Sequence, residues 1–140
     1  MRVLVLGHGK TGKLVAAVAA EHGHSVHVLD AKENRDASAL TPPFVAGFDA
    51  VIDFTTPEYS LRLAELAGTH GKVLVCGTTG LKESGLSILK KHSKGAPIVC
   101  SPNMSIGVNL LLGLVEKIAR ILPPEDCDIE IDEIDRKSVV

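Results

Sequence analysis

Six residues near the N-terminus have the types and the spacing of a turn that can hold phosphate groups. They read Gly7-His8-Gly9-Lys10-Thr11-Gly12 and lie between the apolar run 2–6 and a segment of helical period. Glycines permit a tight turn and close approach of the backbone, and the N-terminus of a helix attracts a pyrophosphate. The turn therefore predicts dinucleotide binding. The alternative is a glycine turn that only packs the helix on the strand.

An acidic residue and several cations bear on the choice between NADH and NADPH. Asp30 ends the second predicted strand eighteen residues after the glycine turn, where a carboxylate can accept hydrogen bonds from an adenosine ribose. The carboxylate favours NADH, whereas Lys32 and Arg35 can approach the 2′-phosphate of NADPH. Lys10 is expected near the pyrophosphate, and His8 is allowed a contact with the cofactor. The predicted cofactor is NADH and/or NADPH. The alternative for the three cations is that they are exposed to solvent and do not contact a cofactor.

Three further turns carry polar residues directly after predicted strands. Residues 53–57 read Asp-Phe-Thr-Thr-Pro, residues 77–80 read Gly-Thr-Thr-Gly, and residues 101–109 read Ser-Pro-Asn-Met-Ser-Ile-Gly-Val-Asn. Asn103 offers a donor and an acceptor to a ligand amide, and Ser105 can cap the following helix. Thr55 and Thr56 can cap the helix that Pro57 begins. Since parallel strands end at one edge, the turns are expected to line one crevice, with helix capping alone as the alternative.

The elements that position these turns follow from short apolar runs that alternate with segments of helical period. Strands are predicted over 2–6, 25–29, 50–54, 72–76, 96–100 and 128–134, and helices over 10–22, 57–70, 82–92 and 105–122. Segment 31–47, which is polar and contains two adjacent prolines, is expected to loop across the sheet edge. The pattern predicts an α/β fold, a Rossmann-like doubly wound parallel sheet with helices on both faces.

The composition limits the classes of protein and of partner. With 140 residues, 45% of them hydrophobic, and a formal net charge of −2, the chain is expected to be globular, with no strong attraction for nucleic acid or a membrane. Residues 2–7 form too short an apolar run for a signal peptide or a membrane span, so a cytoplasmic location is expected. Cys76, Cys100 and Cys127 lack metal-ligand spacing, as do the six histidines. No metal site is predicted, and the thiols are expected to be reduced core residues.

Four blocks together resemble one known family, the dihydrodipicolinate reductases, also called 4-hydroxy-tetrahydrodipicolinate reductases. The resemblance covers nearly the whole chain and is carried by residues 7–12, 50–55, 77–80 and 102–109. The glycine turn is one residue shorter than the commoner form of the family. The resemblance implies that this turn holds the pyrophosphate, that the acid after the second strand holds the ribose, and that the later turns flank the nicotinamide. The cofactor-binding residues predicted from the turns and the resemblance are Gly7, His8, Gly9, Lys10, Thr11, Gly12, Asp30, Phe54, Thr55, Gly77, Thr78, Thr79, Pro102, Asn103 and Met104.

The C-terminal part departs from the family. Residues 128–134 resemble the strand that crosses into the family's substrate domain, which predicts a dinucleotide-binding domain over 1–127 and a remnant of that strand over 128–140. The family's His-His pair, nearby Lys and Ser-Gly-Thr turn have no match, so the substrate domain is expected to be absent. Asp135 cannot replace an imidazolium as proton donor, and Lys137 lies at the chain end. No catalytic residue is assigned.

The resemblance implies an NAD(P)H-dependent oxidoreductase of diaminopimelate and lysine biosynthesis that reduces 4-hydroxy-tetrahydrodipicolinate, a small dicarboxylate. The alternative is an NAD(P)H-binding module without turnover, either a truncated reductase or a nucleotide sensor. A third hypothesis is a fragment of aspartate or homoserine dehydrogenase. The sequences of residues 77–80 and 103–109 argue against it. Because part of the core face is expected to lack its cover, self-association or exchange of the last strand is predicted, which gives a homo-oligomer.

Overall fold

The structure is a computed structural model that describes residues 1–30 and 37–122, together with Asp128, Glu130 and Asp132. The chain forms two compact units, Met1–Met104 and Ser105–Val140. The first unit contains the sheet, and the described part of the second contains one helix. The expected domain boundary at residue 127 falls outside the described residues and stays a prediction.

The first unit is built on a five-stranded parallel sheet. Its strands are β1 (Arg2–Leu6), β2 (Ser25–Leu29), β3 (Ala50–Asp53), β4 (Val73–Cys76) and β5 (Ile98–Cys100). Their order across the sheet is β2-β1-β3-β4-β5, and every neighbouring pair is parallel. All five strands are predicted by the sequence, although β3 ends one residue earlier than expected, β4 begins one residue later and β5 begins two residues later.

Within residues 1–30 and 37–104, four helices accompany the sheet. They are α1 (Lys10–Glu21), α2 (Pro42–Ala46), α3 (Pro57–His70) and α4 (Glu83–His92). The bounds of α3 are those predicted, and α1 and α4 differ from prediction by one residue each. Helix α2 lies in the segment expected to be an irregular loop. It forms because Thr41 Oγ1 accepts a hydrogen bond from Phe44 N (3.4 Å) and because proline, whose ring restricts φ to a range that suits a helix, stands in its first turn.

One face of the sheet packs against α3 and α4 and forms the core. Leu4, Val51 and Leu74 lie in register on β1, β3 and β4, and all three are fully buried. Leu63 of α3 and Leu89 of α4 belong to the same buried cluster. Strands buried between helical layers are nearly continuous apolar runs, which is why the sequence identifies them.

The opposite face of the sheet is covered less completely. Helix α1 packs against β1 and β2, and Val5, Ile52, Val75 and Val99 form a row in register across β1, β3, β4 and β5. Val5 is fully buried, whereas Val99 is 57% exposed. Right-handed crossovers place α1 and α3 on different faces, because the chain moves in opposite directions from β1 to β2 and from β3 to β4. The first unit is therefore the Rossmann-like doubly wound α/β sheet that the sequence predicts.

The second unit contains helix α5 (Ile106–Ala119), which is shorter than the predicted 105–122. Ser105 Oγ accepts a hydrogen bond from Val108 N (3.4 Å), so the predicted cap is confirmed. No residue of α5 is buried within the described structure. The predicted strand over 128–134 lies mostly outside the described residues. No helix in the part of the chain that the structure describes is long and apolar enough to span a membrane.

Candidate functional site

Turns after β1, β3 and β4 meet at the carboxyl edge of the sheet and line one cavity of about 210 Å³. The lining residues are Gly9, Lys10, Thr11, Gly12, Phe54, Thr55, Gly77, Thr78 and Thr79. All nine belong to the set predicted from the sequence. The structure brings them together because parallel strands end at the same edge and each is followed by a polar turn.

A second cavity, of about 650 Å³, adjoins the first and extends to the turn after β5. The two cavities share Thr11, Phe54, Gly77 and Thr79. The second adds three predicted residues, Pro102, Asn103 and Met104, and three apolar ones, Val15, Ile52 and Val75. Ser101 Oγ donates a hydrogen bond to the carbonyl oxygen of Asn103 (2.6 Å), which stabilises the turn after β5. The cleft is therefore polar beside the glycine turn and more apolar beside β5.

Three of the predicted residues, Gly7, His8 and Asp30, line neither cavity. His8 is exposed at the surface of the glycine turn. Asp30 is half-buried and follows Leu29, whose carbonyl oxygen accepts a hydrogen bond from Gly7 N (3.0 Å). Asp30 therefore lies beside the glycine turn, on the β2 side of the cleft and away from β4 and β5.

The glycine turn contains glycines of two kinds. Gly7 has a φ of +94°, and a Cβ there would lie 2.5 Å from the carbonyl oxygen of Phe54; a Cβ on Gly12 would lie 1.8 Å from the carbonyl oxygen of Gly7. These two glycines are required by the internal packing of the turn. Gly9 has a φ of −76°, and a Cβ there would meet no described atom within 4 Å. Neither a positive φ nor internal packing therefore requires glycine at position 9, and its open side borders the first cavity.

Helix α1 begins at this cavity. Gly9 is its N-cap residue, and no described side chain caps the helix. The N–H groups of a first helical turn point away from the helix and carry a partial positive charge. Lys10 adds a full positive charge at the same end. The arrangement suits an anionic group that approaches Gly9 closely, such as a pyrophosphate.

The turns after β3 and β4 are packed directly on one another. A Cβ on Gly77 would lie 2.1 Å from Cε1 of Phe54, so the aromatic ring occupies the space that any side chain at position 77 would need. Gly77 N also donates a hydrogen bond to the carbonyl oxygen of Asp53 (2.8 Å). Phe54 and Gly77 border both cavities, so this contact shapes the cleft where they join.

Asp53 organises the site, although the sequence-based set does not include it. Its side chain is fully buried at the end of the central strand β3. Oδ1 accepts hydrogen bonds from Thr55 N (3.1 Å) and Thr55 Oγ1 (2.5 Å). Oδ2 accepts from Ser60 Oγ (2.5 Å), from Thr78 Oγ1 (3.2 Å) and from Cys76 Sγ (3.8 Å). One carboxyl group thus joins the turns after β3 and β4 to the first turns of α3.

Burial raises the pKa of Asp53 above its ordinary value of 3.8, and hydrogen bonds from Ser60, Thr55 and Thr78 oppose that effect only in part. The predicted capping by Thr55 and Thr56 is wrong. Thr56 occupies the N-cap position of α3, but neither residue makes a side-chain cap bond. The Thr55 hydroxyl is bound to Asp53, and the Thr56 hydroxyl helps to lower the pKa of Glu58, after the larger effect of that residue's own backbone.

Two thiols lie near this network. Cys76 is buried and Cys100 is half-buried, and both are free. Burial, then the neighbouring Cys76, raises the pKa of Cys100 to about 11, so that thiol is protonated and unreactive at neutral pH. Cys76 is therefore a core residue as predicted, whereas Cys100 is only partly buried and packs against the core. Cys127 lies outside the described residues.

These features define a dinucleotide-binding domain: a doubly wound sheet, a glycine with an open side at position 9, and an α1 N-terminus that no described side chain caps. The described residues of the cleft fit a dinucleotide cofactor. A family model described as "Dihydrodipicolinate reductase, N-terminus" matches residues 1–104. The chain belongs to this family of NAD(P)H-dependent oxidoreductases, whose N-terminal domain binds NAD(P)H. The match ends where the first unit ends, at Met104.

Two curated relatives are named 4-hydroxy-tetrahydrodipicolinate reductase. The protein of Chromohalobacter salexigens is 46% identical to this chain, and that of Hahella chejuensis is 43% identical. Each match covers 86 residues, which is 61% of this chain and 32% of the relative, so the chain spans about a third of the length of these relatives. A solved imine reductase of Bacillus cereus is 22% identical, with a TM-score of 0.47 over 69% of this chain and 38% of that chain.

Proposed function

We propose that this chain is the NAD(P)H-binding part of a 4-hydroxy-tetrahydrodipicolinate reductase of diaminopimelate and lysine biosynthesis. The family membership and the names of the two relatives support the reaction. In that reaction the bound nicotinamide supplies a hydride to a small cyclic dicarboxylate, and the protein binds and orients the cofactor. The free thiols of Cys76 and Cys100 support a reducing compartment, the cytoplasm.

The order of the strands supports an assignment of each end of the cofactor to one part of the cleft. The adenosine ribose lies at Asp30 beside β2, and the pyrophosphate lies at residues 7–12, where Lys10 and exposed His8 are its neighbours. The nicotinamide half extends toward β4 and β5. The residues proposed to contact it are Phe54, Thr55, Gly77, Thr78, Thr79, Pro102, Asn103 and Met104. The apolar lining of the second cavity suits a planar ring better than a phosphate.

The observation that carries the proposal is the open side of Gly9. Its backbone is one that any residue adopts, and a Cβ would meet nothing in the described structure. A close-approaching ligand at the α1 terminus accounts for glycine at this position, whereas internal packing does not. Asp30, with its carboxylate beside the ribose, makes NADH the preferred cofactor over NADPH.

Titration calorimetry of the chain with NADH and with NADPH tests the proposal. We expect NADH to bind, and we expect Gly9→Val to weaken that binding by more than about 100-fold, because the side chain occupies the space of the pyrophosphate. Gly113→Val is the matched control, since a Cβ at Gly113 also meets nothing within 4 Å among the described atoms and this residue lies in α5. Its NADH affinity should equal that of the original chain.

Each outcome of this titration bears on the proposal in a different way. A folded chain that binds neither nucleotide contradicts the proposal, as does a Gly9→Val variant that binds NADH unchanged. Binding together with hydride transfer to 4-hydroxy-tetrahydrodipicolinate supports the reductase. Binding without transfer agrees with the proposal that this chain is only the NAD(P)H-binding part, since the chain spans about a third of the length of its relatives.

A further inference from the structure

Asp53 imposes a direction on the hydrogen bonds around it. A backbone N–H can only donate, and Thr55 N lies 3.1 Å from Asp53 Oδ1, so Oδ1 is an acceptor. A proton on Asp53 is therefore better accommodated on Oδ2, because Oδ1 already accepts from Thr55 N. Ser60 Oγ is placed for that case, since it lies 2.5 Å from Oδ2 and 3.1 Å from the carbonyl oxygen of Thr56, a second acceptor for its proton.

The hydroxyl of Thr55 is consequently fixed as a donor to Asp53, whether Asp53 is charged or neutral. Thr55 Oγ1 lies 2.5 Å from Oδ1, and its single proton is used in that bond. Only the lone pairs of the hydroxyl oxygen are left for another partner. A threonine hydroxyl free to rotate would offer either a donor or an acceptor, so Asp53 removes that choice.

A third hydroxyl of the network, that of Thr78, is held largely inside the protein. Thr78 is only 4% exposed; its Oγ1 lies 3.2 Å from Asp53 Oδ2 and accepts a hydrogen bond from Thr55 N (3.2 Å). Thr55 is half-buried and borders the first cavity. Thr78 borders the same cavity but is nearly buried, so Thr55 carries the more accessible of the two oriented hydroxyls.

The position of Thr55 identifies the part of a cofactor it would meet. Thr55 Cγ2 lies 3.4 Å from the point where a Cβ of Gly7 would be, so the residue lies next to the glycine turn. It follows β3, which places it on the β4 side of that turn, opposite to Asp30. If the pyrophosphate lies at the glycine turn, the next group on this side is the nicotinamide half.

We propose that Asp53 is a positioning residue that fixes the Thr55 hydroxyl as an acceptor for a hydrogen-bond donor of the nicotinamide half. This inference rests on the proposed cofactor. Two groups of the cofactor have the required chemistry, a hydroxyl of the nicotinamide-side ribose and the N–H of the carboxamide. Asp53 itself does not line the cleft, since its side chain is fully buried.

Calorimetric titration with three ligands shows which of these two donor groups binds the Thr55 hydroxyl. ADP contains neither group, ADP-ribose adds the second ribose, and NADH adds the carboxamide. Thr55→Val keeps the shape of the side chain and removes the acceptor, so we expect about tenfold weaker binding of NADH and unchanged binding of ADP. A loss that already appears with ADP-ribose assigns the ribose hydroxyl as donor, and a loss confined to NADH assigns the carboxamide.

Asp53→Ala should reproduce the pattern of Thr55→Val, and the double variant should be no weaker than either single variant, because Asp53 acts through Thr55. Asp53→Asn should restore NADH affinity, since its amide oxygen can take the place of Oδ1 and accept from Thr55. Ser60→Ala is the matched control. It removes a hydroxyl from Oδ2 at the buried side, so stability should fall while all three affinities stay unchanged.

Several results would overturn the inference. One is NADH affinity that Thr55→Val leaves unchanged, which decides the matter even when Asp53→Ala fails to fold. Another is an equal loss of ADP and NADH binding in Asp53→Ala, which indicates a general effect on the turn. A folded chain that binds none of the three ligands contradicts the proposed function and the inference with it, whereas NADH binding that ignores Thr55 contradicts the inference alone.

Discussion

Asp53 makes the stability of the protein depend on pH in an unusual direction for a carboxyl group. Burial raises its pKa above 3.8, so the folded chain binds this proton more tightly than the unfolded chain does. The contribution of Asp53 to the free energy of unfolding is therefore fully present below pH 3.8. It is lost as the pH rises through the raised, folded-state pKa.

Asp53→Asn removes this pH dependence while it keeps the size of the side chain. We expect the free energy of unfolding of the variant, relative to the original chain, to shift in favour of the variant as the pH rises from 3.8 through the folded-state pKa. Urea unfolding at a series of pH values measures the shift. A constant difference between the two proteins over that range would contradict a raised pKa.

Asp49 provides a control of the opposite sign. It is exposed, and a hydrogen bond from Arg2 N (2.7 Å) is the main cause that lowers its pKa below 3.8. Its contribution to stability is present above pH 3.8 and is lost as the pH falls through the lowered value. The difference between Asp49→Asn and the original chain should therefore shrink at low pH, where that of Asp53→Asn does not.

Sequence reasoning places Thr55 and Thr78 in the site but misses Asp53, for a physical reason. A carboxylate at the end of an apolar strand is typical of an exposed turn. Whether it is buried depends on donors 7 and 25 residues away, Ser60 and Thr78, which only the packing of α3 and β4 brings to it. The one available signal is the density of hydroxyl residues, at 55, 56, 60, 78 and 79, that follow two strand ends close to this acid.

At the level of elements, the β1 to α1 turn separates residues needed for folding from residues needed for binding. A Cβ at Gly12 would overlap the carbonyl oxygen of Gly7, at 1.8 Å, and neither backbone group can move without opening the turn. We therefore expect Gly12→Ala to lower the free energy of unfolding by about 3 kcal/mol. Thermal or urea unfolding measures this directly.

Gly9→Ala is the comparison for that experiment, because the two glycines lie three residues apart in one turn. Its Cβ enters open space in the described structure, so the cost should be about 1 kcal/mol or less, the effect of alanine at an N-cap. Equal destabilisation by the two substitutions would show that the two glycines do not differ in role. Gly12→Ala with unchanged stability would show that the turn opens easily.

The sequence predicts the elements better where burial controls them than where local capping does. Each of β1 to β5 is an apolar run between helical segments, and each is found within two residues of its expected bounds. Helix α2 is missed because two prolines are usual in loops. Only the approach of Thr41 Oγ1 to Phe44 N shows that they begin a helix here.

At the scale of the whole molecule, the two units differ in how much apolar surface they bury. The first has a core of fully buried side chains, and the family match covers it completely. The second presents a helix whose apolar residues are exposed over most of its surface, apart from the side that carries Asn109, Glu116 and Lys117, with Leu111 at 58% and Ile118 at 54%. So broad an exposed apolar surface is normally covered in the working state of a protein.

We therefore expect the chain to self-associate, in line with the homo-oligomer predicted from sequence. Sedimentation velocity should show species larger than a monomer, in proportions that rise with concentration.

The double variant Leu111→Glu with Ile118→Glu changes one face of α5, since the two residues are two turns apart, and should shift the population to monomer. Lys91→Glu, at an exposed position of α4, is the control and should leave association unchanged. A monomer at every concentration would show that exposed α5 side chains do not drive association, and retained oligomers in the double variant would place the contact elsewhere.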